Sequence, residues 1–298
     1  GSRGRGVFGG GDGETNLIEY VTIATLGNSA DFGDLTQARR DSSACASSTR
    51  GIFFAGGYPT EFNVIDYITI SSTGNAFDFG DLSSPPMFQL AGLSDSTRGI
   101  CAGGLQAPAP TYIISTIQYV NIANKGNTSF FGDLTIITFA CQGAASPTRG
   151  IFVGGDTQPN PTVINIIDYI TIQSLGNAKD FGDLSTPKRN VMTSSNSTRA
   201  ILAGGYLSPA FYNVIEYVTI ASTGNAQDFG DLSGGRSRGC ATASQTRSVI
   251  AGGHNPGSTD TIEYVTIASA GNASDFGNLG AGSERDQGAC SDSHGGLG

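Results

Sequence analysis

Apolar positions along this chain come in short bursts, and nowhere do they keep the i, i+3, i+4, i+7 spacing of a three-turn helix. The bursts follow a fixed order. GIFVGG (150–155) ends on a glycine pair, IDYITI (167–172) carries apolar residues at both parities, DFGDL (180–184) follows, and NVMTSSNS (190–197) is built of small residues. The block then repeats. Its Gly-Asn step falls at Gly27-Asn28, Gly74-Asn75, Gly126-Asn127, Gly176-Asn177, Gly224-Asn225 and Gly271-Asn272, at intervals of 47, 52, 50, 48 and 47 residues. A period of this size marks a propeller or a solenoid, whose units are each too small to bury an apolar face alone.

Each burst predicts a strand with its own place. The glycine pair lets the first strand bend away through positive φ. The Tyr-containing strand is apolar on both faces and so is covered on both sides, as in a sheet packed between two similar sheets. The Phe of DFGDL wedges between adjacent sheets. Strands of Ser, Ala, Gly and Cys suit a crowded axis and are innermost. The chain starts at a Gly-Gly strand and finishes on a small-residue strand (286–293, DQGACSDS). Both termini therefore complete one sheet, which closes the ring and removes the exposed edge of an open array. The prediction is an all-β, six-bladed β-propeller with four antiparallel strands per blade, spanning residues 1–298 as one domain.

Composition narrows the function. A net charge of −9 and a pI near 4.6 argue against nucleic acid, which needs a basic stripe. No apolar run approaches the roughly 20 residues that span a bilayer. The chain opens Gly-Ser without Met, as expected of a processed product, a fragment or a tagged chain, so this end gives no localisation. The five cysteines lack any CxxC pair and read as small buried thiols.

The apolar strand, diglycine, loop, strand with a fixed Tyr, aromatic and basic residue together resemble the kelch repeat over nearly the whole chain. Gly10-Gly11, Gly56-Gly57, Gly103-Gly104, Gly154-Gly155, Gly204-Gly205 and Gly252-Gly253 match its diglycine, and Tyr20, Tyr67, Tyr119, Tyr169, Tyr217 and Tyr264 its tyrosine. Phe32, Phe79, Phe131, Phe181, Phe229 and Phe276 stand where kelch proteins usually carry Trp, a residue absent here. Tandem copies this alike are also similar to repeats in virion proteins of marine bacteriophages. That resemblance implies a structural or binding part of a virion.

The copies agree on one side and differ on the other. The Thr-Arg turns and Gly-Asn loops share a face and barely vary. The loops after Gly-Gly and after DFGDL share the opposite face and hold nearly all the variation. Rigid loops with Tyr and Arg suit recognition. The candidate binding residues there are Tyr58, Phe62, Tyr112, Tyr206, Phe211, Tyr212, His254, Arg39, Lys188 and Arg236. The implied partner is a protein or a glycan on another surface, within a larger assembly, or else the chain is purely an architectural spacer.

Other chemistry reads weakly. Asn28-x-x-Asp31-x-x-Asp34 lacks the ligand density of calcium loops, and Asx turns account for it. The Thr-Arg arginines are expected to pair with the Asp residues of DFGDL. No GxSxG, HExxH or Walker pattern occurs, and the two histidines lie in different loops, so neither an enzyme nor a cofactor is expected.

Overall fold

The computed structural model describes residues 4–13, 15–57, 60–83, 85–106, 112–157, 162–282 and 284–298. Six four-stranded antiparallel sheets form the blades of a β-propeller. Blade 2 runs outward as Ser43–Ala46, Arg50–Phe54, Val64–Thr69 and Phe77–Asp81, and blades 3 to 6 repeat this order. Blade 1 is shared by the two ends: Gly288–Ser291 is innermost and pairs with Arg5–Gly9, followed by Leu17–Thr22 and Ala30–Asp34.

Small residues line the axis because neighbouring innermost strands nearly touch. A Cβ on Gly143 would lie 2.6 Å from the Gly92 carbonyl oxygen, and one on Gly92 2.8 Å from that of Ala44. Short hydroxyl side chains fill the remaining gaps: Ser94 Oγ donates to the Ala46 carbonyl at 2.8 Å and Ser195 Oγ to that of Ala145 at 2.8 Å. All five cysteines are buried and free, and burial pushes Cys101, Cys141 and Cys290 up to about 12.

The core is six clusters, each drawn from two adjacent blades. In every blade the buried Phe of the outermost strand meets the Tyr of the third strand edge-on, with centroids 5.9–6.2 Å apart. The diglycines hold positive φ, but in blade 2 the pair is Ala55 (φ 49°) and Gly56 (φ 94°), not Gly56-Gly57. Blade 2 carries one more residue before its glycine pair, whereas the bend keeps its place five and six residues after the repeat Arg, so it falls one position ahead of the pair.

The uniform face consists of latches between blades. Each Thr-Arg guanidinium lies over the Tyr ring of its own blade at 4.3–4.7 Å. It also donates to a carbonyl at the end of the next blade's third strand: Arg5 to Ile70, Arg50 to Ile122, Arg98 to Ile172, Arg149 to Ile220, Arg199 to Ile267 and Arg247 to Ile23, at 2.7–3.0 Å. The pairing with DFGDL aspartates expected from the sequence is replaced by this arrangement, because the strand-end carbonyls lie closer to hand. The Asn of each Gly-Asn step reaches the other way. Asn75 Oδ1 accepts from the Asp34 amide, and the series closes with Asn28 and the Asn278 amide. These loops thus cover the outward edges of the outermost strands, which would otherwise offer a template for pairing with other chains.

Candidate functional site

The variable face is built on two rings of backbone contacts. The second residue of each bend, a glycine in all six, donates to a carbonyl in the linker that follows the blade, at Arg39, Met87, Thr138, Lys188, Arg236 and Glu284, at 2.8–3.0 Å. One turn further along, Asp41, Gln89, Ala140, Asn190, Arg238 and Asp286 hold φ between 53° and 64°, a left-handed conformation uncommon outside glycine. Their amides donate each to the carbonyl of the residue before it in the ring, Gln89 to Asp41, Ala140 to Gln89, and so on round to Asp41 and Asp286, at 2.7–3.3 Å. The result is a closed circle of six backbone hydrogen bonds around the axial mouth. No glycine marks these positions in the sequence. Asp and Asn, which tolerate this conformation, occupy only three of the six.

Each third strand carries one buried acceptor: Glu19, Asp66, Gln118, Asp168, Glu216 or Glu263. Each reaches across to the linker of the preceding blade. Asp66 accepts from the Thr36 amide and hydroxyl, Glu216 from the Ser185 amide and Glu263 from the Ser233 amide. This corrects three of the candidate binding residues. Arg39, Lys188 and Arg236 are buried, paired with Asp66 at 2.7 Å, Glu216 at 2.5 Å and Glu263 at 2.7 Å. They begin a loop in the sequence, but the linker turns them inward onto these carboxylates, so they present no recognition surface.

Three of the other candidates come together. Tyr206 and Phe211 face each other across the short hairpin Tyr206–Leu207 and Ala210–Phe211 of blade 5, with centroids 4.8 Å apart, and Phe211 meets His254 of blade 6 edge-on at 5.6 Å. Arg189 extends this row beyond Tyr206 at 5.5 Å, and Arg285 Nη1 stands 2.7 Å from His254 Nδ1. All three rings are partly exposed. Burial, then Arg285 and Arg238, hold the His254 imidazole below its usual value, so near neutral pH it is an uncharged acceptor toward Arg285. Tyr212 is partly buried, with the Lys188 ammonium 5.7 Å from its ring. Phe62 and the 54% exposed Tyr112 lie apart on blades 2 and 3, and Tyr58 falls outside the described residues.

Charges gather where the ring is sealed. Asp12 receives Arg40 at 2.9 Å and Arg285 at 2.6 Å, and Arg238 grips Asp286 with two bonds of 2.7 and 2.6 Å. Burial and the facing Asp286 carboxylate push Asp41 up to about 7, and burial together with Glu19 does the same to Glu284. Between Asp41, Gln89, Asn190, Arg238 and Asp286 the axial mouth leaves about 20 Å³ for the centres of water molecules, room for one or two waters and far less than a drug-sized ligand fills.

Among the described residues no group of three His, Cys, Asp or Glu side chains is placed to hold a metal ion, and no helix is long and apolar enough to cross a membrane. No protein-family model matches the chain. No curated protein is significantly similar to it.

Proposed function

We propose that this propeller is a non-enzymatic binding module, of the kelch-like kind found in virions, whose variable face takes a protein or a surface glycan. One contrast carries the reading. The arginine and asparagine common to the six copies on the uniform face are occupied in holding blades together. The variable face instead sets a row of partly exposed planar groups, Arg189, Tyr206, Phe211, His254 and Arg285, on the same rigid frame. Aromatic and arginine groups on a preorganised scaffold are what binding hot spots are made of. The test is a glycan array together with a pull-down from surface extracts. Phe211→Ala combined with His254→Ala should weaken any captured ligand roughly tenfold or more, as loss of a hot spot does, while Gln227→Ala on the outer rim should not. A double variant that binds as the parent does overturns the assignment of this face.

A second reading, an architectural part, is favoured by the rim. Leu26, Phe77, Phe130 and Leu175, 59%, 62%, 59% and 58% exposed, project from four consecutive blades. Such a part would dock through the rim and show no ligand in solution.

A further inference from the structure

Beyond the innermost strand of blade 1 the chain crosses the axis at the uniform face, and Gly295–Leu297 form a single 3-10 turn there. His294 Nε2 stands 2.8 Å from the Ala46 carbonyl oxygen and 3.3 Å from Ser94 Oγ, and its Nδ1 receives the Gly296 amide at 3.1 Å. Gln245 Nε2 donates to the His294 carbonyl at 3.0 Å. A Cβ on Gly295 would strike the carbonyl oxygens of Asn196 and Ala145, and one on Gly296 that of Ser94, so only glycines fit so close to the wall. Behind this turn lies a cavity with about 60 Å³ for water centres, lined in part by Ser94, Ser195 and Thr242.

These contacts fix the proton. Nδ1 receives an N–H and must offer its lone pair, while Nε2 faces a carbonyl and must carry the hydrogen. A second proton would have to sit on Nδ1, opposite the Gly296 N–H, so two donors would face one another and the cap of the turn would be lost. The carboxylates near enough to act on the imidazole are already engaged. Asp292 accepts from the amides of Gly4 and Arg5, and Asp95 from those of Thr97 and Arg98 and from the Gln173 side chain. The turn's contacts on blades 4, 5 and 6 (Ala145, Asn196 and Gln245) are uncharged, and burial keeps the Cys45 and Cys290 thiols protonated. Burial also holds His294 below its ordinary value, outweighing Ala46, Asp292 and Asp95.

We propose that residues 294–298 are an acid-released stopper: protonation of His294 turns its contact with Gly296 from attraction to repulsion, frees the turn and opens the axial cavity on the uniform face. Amide hydrogen exchange of the whole chain tests this, read at Gly296 and Leu297 against Phe8 in the same blade and corrected for intrinsic rates. From about pH 7.5 to about pH 4 the relative protection of the two amides should drop roughly tenfold or more, with Phe8 unchanged. In His294→Gln, whose carboxamide can donate to Ala46 and accept from Gly296 without titrating, the ratio should stay level. A ratio that stays level in the parent, or drops equally in the variant, overturns the proposal. If the variant does not fold, imidazole titration by NMR in the parent decides: loss of protection must share its midpoint with His294, and a separate midpoint overturns the proposal.

Discussion

At the scale of single residues, the six junctions between blades are variations on one contact within one chain. The linker positions Arg39, Lys188 and Arg236 face Asp66, Glu216 and Glu263 as ion pairs. At the equivalent junction between blades 2 and 3 the linker has Met87 and the third strand Gln118, which is satisfied by Ser83 and Thr128. The charge is thus removed from both sides together. A buried carboxylate without its cation is costly, whereas a neutral pair is not. Lys188→Met alone should therefore cost about 3–5 kcal/mol, and adding Glu216→Gln should restore most of it. Denaturant midpoints check this, and equal midpoints for the single and double variants would refute the coupling. The sequence announced the wedge Phe and the fixed Tyr because their spacing is local. It did not announce these partners, since the base lies in a linker and the acid on the third strand of the next blade, and only the packing of consecutive blades brings them together. For the same reason Arg39, Lys188 and Arg236 looked like surface groups.

At the scale of strands and turns, the uniformity of the copies has a mechanical cause. Each Arg must both stack on its own Tyr and reach the next blade's carbonyl, and each Asn must meet the previous blade's outermost strand. A copy that drifted at either position would loosen two blades at once. Arg199→Lys keeps the charge but gives up the planar stacking, so it should lose about 1–2 kcal/mol, the sum of one modest hydrogen bond and one cation–π contact. Guanidinium midpoints would read this, and an unchanged midpoint would show that the latch contributes nothing. Strand order, the axial placement of the small-residue strands and the shared blade were all legible, because period and residue size encode them. The left-handed ring around the mouth was not, since Gln89, Ala140 and Arg238 adopt a conformation that their side chains do not advertise. Neither was the meeting of Tyr206, Phe211 and His254, which depends on two loops from different blades.

At the scale of the whole molecule, the seal between the chain ends is where carboxyl groups crowd. At the ring position Asp41 and Asp286 adjoin one another, and the linker position of that junction is Glu284, next to Glu19, where other junctions have a base or a neutral residue. Asp41 and Glu284 titrate near 7 in the fold, well above their ordinary values of 3.8 and 4.5. The folded state thus holds protons that the unfolded chain has already released. The stability this gives is fully present below about pH 4 and is lost as pH rises through about 7. Asp41→Asn and Glu284→Gln remove the titration while keeping the shape. Each should raise the melting temperature relative to the parent at about pH 8, and the advantage should shrink steadily toward about pH 4.5, where the parent's carboxyls are themselves mostly protonated. The arginines set the limit of the effect. Arg238 bonds Asp286 and lies 3.9 Å from Asp41, so the first substitution leaves its main partner in place, whereas Glu284 Oε2 is buried without a hydrogen-bond partner among the described residues, so neutralising it gives up no bond there. The gain should therefore be larger for Glu284→Gln than for Asp41→Asn. Calorimetry across this pH range would settle the order, and a parent that is most stable at alkaline pH would mean the seal does not hold these protons.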